Sequence, residues 1–347
     1  MPLGCTSGSG CIAAGLRPVA FNWRGSRCVT SWTFRRAVLD REGRTLPVWG
    51  DRRMTTLSTR AEEITQAAVA SFDGCPDQRL REILQSLVRH LHAFATEVRL
   101  TPAEWEKAIA LLKATGDITD DKRSEFILWS DALGVSMLVD SLANAKPQGA
   151  MESTVLGPFW TPNAPVRGYA ESMIERPLGT PALVYGRVQD LHGHPIAGAE
   201  LDVWQNDANG LYTVQEPENN QDHLRGRYFS REDGSYAFVG VRPIPYTIPH
   251  DGPVGAMLEA ARRHPWRPAH IHMIVTAPGY QRVQTHIFDS TSKYLDSDAV
   301  FAVKQSLIRQ FIPRQADDPD KPASIQGDWC SVKNDVVLAP LDENGRA

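Results

Sequence analysis

The sequence predicts an α+β chain in which a helical N-terminal domain precedes an antiparallel β-sandwich, and three observations carry that prediction. From about residue 59 to 145, apolar residues recur every three to four positions, the helical period. Beyond Pro181 the period drops to two, in short segments separated by Gly, Pro and Asn turns. Between the two, residues 146–180 are rich in proline and glycine, a composition that stops helices and suits a long irregular connection. At 347 residues the chain has room for about two domains, each large enough to bury its own core. The expected divisions are an extension over 1–53, a helical domain over 54–150 and a sandwich domain over 151–347.

The elements follow in order. Residues 1–39 hold Arg17, Arg24, Arg27, Arg35 and Arg36 with no Asp or Glu, a bias shared with organelle transit segments. The stronger signal is downstream of Met54, where Ser58 or Thr59 can cap a helix whose first turn carries Glu62 and Glu63. Residues 1–53 are therefore expected to be disordered or to precede the natural start. A second helix carries Ile83, Leu84, Leu87, Val88, Leu91 and Phe94, and Thr101 with Pro102 reads as the N-cap and first position of another. A further helix is expected over residues 121–145, with Phe126, Ile127, Leu133, Met137 and Leu138 inside. Among the strands, Val184, Gly186 and Val188 alternate, as do Leu201 and Val203, and Tyr236 and Phe238 follow an Asp233-Gly234 turn. Ile271, Met273 and Val275 then alternate against His270, His272 and Ile274. Short strands at this spacing indicate a β-sandwich.

Composition excludes several classes of partner. A formal net charge of -4 gives no source for the phosphate-neutralising term that drives nucleic-acid binding. No apolar stretch approaches the length of a membrane span. Three of the five cysteines fall within the first 28 residues, and Cys75 and Cys330 form neither a disulfide framework nor a zinc spacing, so a reducing, cytoplasmic setting is expected.

The residues that carry chemistry cluster around Arg267-Pro268-Ala269-His270-Ile271-His272. Positions i and i+2 of a strand share a face, so His270 and His272 can present two imidazoles to one metal ion. Taken alone, such a pair is more often a polar strand face. Tyr212 follows the turn-rich run 206–210, and Tyr246 sits among Pro243, Pro245 and Pro249, which fix the backbone around it. Each tyrosine taken singly reads as a packed ring with its hydroxyl turned outward. The four together fit a metal better. A phenol of pKa about 10 becomes a ligand when a strong Lewis acid displaces its proton, and hard trivalent iron does this readily. Zinc and copper prefer imidazole, thiolate or carboxylate sets.

The segments ESTVLGPF (152–159), DVWQNDANGLY (202–212), RGRYFSREDGSYAF (225–238), PIPYTIPHDGPVG (243–255) and RPAHIH (267–272) closely resemble the intradiol ring-cleavage dioxygenases, and the resemblance extends from Met54 onward. It implies one Fe(III) per subunit, with Tyr212 and His270 as equatorial ligands and Tyr246 and His272 as axial ones. It implies that an aromatic diol binds as a chelating dianion, displaces the Tyr246 phenolate and is opened by O2 to a muconate. Arg267 would stabilise negative charge on the ring; a surface arginine is the blander alternative. His286 stands where catechol enzymes of the family have Gln, and would line the pocket or pair with a neighbour. The same match places Leu128, Asp131, Val155, Leu156 and Gly157 in the substrate pocket. It adds Pro158, Phe159, Ile248 and Pro249.

Residues 246–255 are most similar to members that cleave hydroxyquinol, benzene-1,2,4-triol, to 3-hydroxy-cis,cis-muconate (maleylacetate). Leu128 and Asp131 are three apart and share a helix face, so Asp131 can accept a hydrogen bond from the third hydroxyl; otherwise it is a solvated acid at the domain junction. Cleavage of catechol or chlorocatechol to cis,cis-muconates is the nearest alternative. A non-catalytic β-sandwich binding module is the alternative of another class. Extradiol chemistry, which uses iron(II) with two His and a carboxylate, fits this donor set poorly. The resemblance also implies a homodimer through the helical domain, with lipid tails enclosed at that interface.

Overall fold

The computed structural model describes residues 52–121, 123–216 and 221–341, so of the extension expected over 1–53 all but the last two residues fall outside the described residues, and Arg52 and Arg53 open the first helix. The chain divides into two compact units between Leu112 and Lys113. In the first, α1 (Arg52–Ala70) packs against α2 (Gln78–Glu97). No Gly or Pro interrupts residues 52–70, so α1 runs back past Ser58 and Thr59, which lie inside the helix rather than at its cap. Asp77 caps α2, its side chain accepting from the Leu80 amide at 2.9 Å. Ile83, Leu87, Leu91 and Phe94 form the expected stripe, and all four are exposed in the single chain. Thr101 and Glu104 make a reciprocal capping box ahead of Pro102 at the start of α3 (Pro102–Ile118).

The second unit begins within α3 and holds α4 (Glu125–Ala132), α5 (Val135–Ala143) and all the strands. The single helix expected over 121–145 is two, bent by 78°. Leu133 closes α4, and Gly134 takes a left-handed φ of 77° that a continuing helix cannot contain.

The strands follow as β1 (Pro181–Asp190), β2 (Glu200–Gln205), β3 (Arg225–Phe229), β4 (Ser235–Val241) and β5 (Tyr246–Thr247). After α6 (Pro253–Ala260) come β6 (Trp266–Arg267), β7 (His270–Thr276), β8 (Val283–Asp289) and β9 (Ile308–Arg309). The C-terminal strands are β10 (Ile312–Arg314), β11 (Trp329–Lys333) and β12 (Val336–Leu338). One sheet has the order β10-β11-β1-β12 with β4 on the other edge of β1; the second runs β3-β2-β7-β8-β9; β5 and β6 form a separate ribbon. The sheets are mixed rather than wholly antiparallel as expected, because β11 and β12 both return to β1 in parallel and β9 lies parallel to β8. β11 and β9 reach their partners by connections too long for a hairpin, and β12 keeps the direction of β11 across Asn334 and Asp335. Asn334 passes between β11 and β12 beside Gly186, where a Cβ would stand 2.0 Å from its carbonyl oxygen; the predicted alternation at 184, 186 and 188 needs glycine at its centre for that reason.

Side chains from both sheets meet in one core, with Val184, Val188 and Phe238 from the first and Leu201, Ile271, Met273 and Ile287 from the second. β7 is central and buried along both faces over His270–Val275. Its odd-numbered residues enter the core. Its even-numbered face, which carries the two histidines, is covered by the segments described next.

Candidate metal centre

On β7, His270 sets its Nδ1 2.7 Å from the Pro268 carbonyl oxygen. A carbonyl only accepts, so this nitrogen carries the proton and Nε2 presents a lone pair. That lone pair faces His272 Nε2 at 3.1 Å, and Tyr212 Oη lies 3.0 Å from the same His272 atom. The neighbouring strands hold His272 from both sides: Trp204 of β2 and His286 of β8 are its register partners. The Trp204 ring stacks on the imidazole at 4.7 Å and 14°, and His286 Nε2 lies 2.8 Å from His272 Nδ1. His286 therefore pairs with a neighbour, one of the two roles the sequence left open.

Tyr212 arrives from a turn organised by Asp207, whose Oδ1 accepts from the amides of Asn209 at 2.8 Å and Leu211 at 3.2 Å. It caps a short 3₁₀ turn, Thr213–Gln215, its amide donating to Gln215 Oε1 at 2.9 Å. Asn206 ties this turn to the proline-rich segment through Nδ2 and the Ile244 carbonyl at 3.0 Å. Tyr246 lies on β5 opposite Arg267 on β6. The two phenol rings sit 5.4 Å apart at 78°, and Phe159 stacks on Tyr212 at 4.5 Å. Arg267 reaches Tyr246 Oη at 3.3 Å and His270 Nε2 at 3.2 Å through one terminal nitrogen. Its Nε and other terminal nitrogen meet Asp298 at 3.2 and 3.4 Å.

Burial governs the ionisation of this group. It pushes the Tyr212 hydroxyl well above its ordinary value, with the adjacent Tyr246 adding to the effect. It lowers His270, His272 and His286 well below theirs, with Arg267 and, for His272 and His286, the neighbouring imidazoles contributing, so the imidazoles are neutral and each keeps one nitrogen lone pair. Burial alone would lower the Arg267 guanidinium too, but Asp298 and the tyrosines outweigh it, and its pKa is raised. Neutral imidazoles converging with two phenols, one of which, Tyr212, is held from ionising unless a cation stands beside it, are a set that fits a metal ion. Among the described residues, His270, His272 and His286 have nitrogens within 4.8 Å of one another. His286 spends its Nε2 on His272, which leaves His270 Nε2, His272 Nε2 and the two phenolic oxygens as the converging donors.

The expected pocket residues fall around this centre unevenly. Gly157 takes a left-handed φ of 74° that favours glycine, and a Cβ there would make a tight 3.3 Å contact with His272 Cε1. Leu156 and Phe159 pack against the cluster of Trp204, Tyr212, Tyr246 and Ile274. The Val155 carbonyl favours a proton on His286, although His286 Nδ1 makes no well-aligned hydrogen bond. Pro158 is exposed and Pro249 half-buried. Ile248 and Leu128 join the main core. Asp131, half-buried on α4, has its pKa raised by burial, and the opposed charges of Arg267 and Asp298 both act on it. The start of α4 is fixed by Glu125, fully buried, which accepts from the Val254 amide at 3.0 Å and from Arg123 at 2.9 and 3.0 Å. Sequence reasoning missed Asp298, the stacking of Trp204 and the Arg123–Glu125 pair. Asp298 carries no local signal, being 31 residues beyond the arginine it holds, and the closeness of Arg123 and Glu125 in sequence does not reveal that Glu125 is buried.

Residues 155–338 match the family described as Dioxygenase, and residues 77–151 the one described as Catechol dioxygenase N terminus. The chain is 48% identical over 254 residues to 6-chlorohydroxyquinol 1,2-dioxygenase of Cupriavidus pinatubonensis, spanning 73% of this chain and 92% of that protein. It is 45% identical over 282 residues to hydroxyquinol 1,2-dioxygenase of Rhodococcus opacus, spanning 80% and 94%. The crystal structure of hydroxyquinol 1,2-dioxygenase from Pseudomonas putida DLL-E4 is similar at a TM-score of 0.78 and 48% identity, covering 82% of this chain and 99% of that one. With helices ahead of a two-sheet core in both, and with matches that together run from 77 to 338, the chain belongs to the intradiol ring-cleavage dioxygenase family.

Proposed function

We propose that this enzyme cleaves hydroxyquinol, benzene-1,2,4-triol, between its two adjacent hydroxylated carbons, adding both atoms of O2 to give 3-hydroxy-cis,cis-muconate, with one Fe(III) per subunit held by Tyr212, Tyr246, His270 and His272. The observation that carries the reading is the convergence of two neutral imidazole nitrogens with the Tyr212 hydroxyl, and with the Tyr246 hydroxyl held to His270 Nε2 through one shared Arg267 nitrogen. When bound, the iron supplies a Lewis-acidic ferric centre for two adjacent diol oxygens and draws electron density from the ring. Held by two phenolates and two neutral imidazoles, its three positive charges would be reduced to one.

The chain's own residues do the rest. Tyr246 Oη takes up a proton as the diol binds, and its contact with the Arg267 guanidinium, at 3.3 Å, holds it beside that cation. Arg267 donates where negative charge develops on the ring, in a buried setting that strengthens the interaction. Leu156 and Phe159 keep water from the phenols. His286 holds the His272 ring so that Nε2 faces the metal.

For the choice of diol, support comes from the relatives named for hydroxyquinol and from Asp131, whose carboxylate lies within the electrostatic reach of Arg267. Asp131 accepts the hydrogen bond of the third hydroxyl. Oxygen uptake by the purified enzyme tests both statements: triol is expected to be turned over faster than catechol. Asp131→Ala is expected to lower kcat/KM for triol by about tenfold, one hydrogen bond to a charged group, while catechol changes less. Equal losses on both diols remove Asp131 from the specificity argument.

The exposed stripe of α2, with Trp105 and Ile109 of α3 exposed as well, supports a homodimer through the helical region, with lipid tails as part of its apolar cover. Sedimentation equilibrium is expected to give twice the chain mass; a monomer at micromolar concentration contradicts the dimer. The two unpaired cysteines among the described residues, Cys75 and Cys330, suit a reducing, cytoplasmic setting.

A further inference from the structure

Asp298 belongs to no strand or helix, yet its residue is only 5% exposed. Both carboxylate oxygens accept twice. Oδ1 takes Arg267 Nε at 3.2 Å and the Val300 amide at 3.3 Å; Oδ2 takes the second terminal nitrogen of Arg267 at 3.4 Å and the Ala302 amide at 2.9 Å. The loop adds its own closure, the Phe301 amide donating to the Asp298 carbonyl at 3.1 Å with Phe301 in the left-handed region at φ 60°. The carboxylate is thus anchored to its own backbone independently of the arginine. A guanidinium is a rigid fork, so fixing its Nε edge also fixes the direction of the remaining nitrogen. That nitrogen is the one directed at Tyr246 Oη and His270 Nε2.

We propose that Asp298 is a positioning residue for ring cleavage: by clamping the Nε edge of Arg267 it aims the remaining terminal nitrogen at the side of the centre where Tyr246 and His270 meet and the diol oxygens would bind. The inference rests on the reading of the centre given above. In that reading Arg267 acts on charge that develops during the reaction, so a misaimed guanidinium lowers kcat more than it raises KM. Asp298→Asn keeps an acceptor and the size of the side chain while removing the counter-charge. Asp298→Glu keeps the charge but displaces it by one methylene.

The test is a double-mutant cycle on the iron-loaded full chain with benzene-1,2,4-triol, comparing wild type, D298N, R267Q and the double variant, with iron content measured for each. The same cycle is read a second time as the melting temperature of the iron-free proteins. D298N is expected to retain iron and lose on the order of 10²-fold in kcat, the cost of a misplaced group. In the R267Q background D298N is expected to cost nothing further in kcat and to lower the melting temperature less than it does in wild type. Should D298N fail to melt cooperatively, D298E takes its place with the same expectation of a lowered kcat that vanishes in the R267Q background. A wild-type kcat in the Asp298 variant, or losses that multiply across the cycle, overturns the inference. A wild-type protein that takes up no iron, or leaves the triol uncleaved, overturns the functional reading instead.

Discussion

His272 is gripped on three sides, by the Trp204 ring at 4.7 Å, by His286 Nε2 at 2.8 Å and by the Tyr212 hydroxyl at 3.0 Å. A histidine whose Nε2 lone pair faces the centre must carry its proton on Nδ1, and His286 is the acceptor that keeps it there. Replacing His286 with leucine removes that acceptor, and iron retention is expected to weaken by about 10–100-fold in a chelator competition, with glutamine, which can still accept, weakening it less. Unchanged retention in the leucine variant would mean that His272 is oriented by stacking alone. At this scale the sequence was most informative where chemistry sits in short motifs. His270 and His272 share a face because of strand geometry, Tyr246 stands among prolines, and Arg267 lies next to the ligand strand. Asp298 was invisible because its role depends on a contact made across 31 residues, between a loop with no period and a two-residue strand.

Among the elements, the loop that delivers Tyr212 depends on a buried histidine outside the centre. His223 Nδ1 accepts from the amides of Glu175 at 3.1 Å and Arg176 at 3.2 Å, and burial together with the Arg176 charge pulls its pKa below the ordinary value. Next to it, the Thr213 hydroxyl donates to the His223 carbonyl at 3.1 Å, one residue from Tyr212. His223 is thus neutral in the folded chain, whereas an unfolded chain takes up the proton near pH 6.5. As pH falls through that value the unfolded state binds more protons, so this contribution to stability is present above about 6.5 and declines below it. Melting temperatures from pH 8 to 5 are expected to fall less steeply in His223→Gln than in wild type; parallel curves would exclude His223 as a source of the slope. The strands around this loop were legible because their alternation is local. Composition does not mark where Gly134 turns left-handed, so the period over 121–145 looks like one helix where the fold has two, and α1 outruns its candidate caps because no residue stops it.

At the level of the whole molecule, β7 joins the two things the sequence encodes. Its odd-numbered side chains close the core shared by both sheets, and its even-numbered ones face the converging phenols, so one strand fixes the centre to the most buried part of the fold. The two-layer β architecture followed from period and turn composition, but the parallel return of β11 and β12 to β1 did not, since strand direction is set by long connections that carry no pattern. The arrangement makes a direct demand on the iron-loaded protein, because phenolate bound to ferric iron absorbs visible light by charge transfer and neutral phenol does not. The measurement is the visible spectrum of the concentrated iron(III) protein before and after benzene-1,2,4-triol is added without air. The expected result is a broad band that gives a red colour, a shift of that band on adding the triol, and loss of most of its intensity in Tyr212→Phe. A colourless iron-loaded protein, or a band indifferent to both the triol and the Tyr212 substitution, would contradict it.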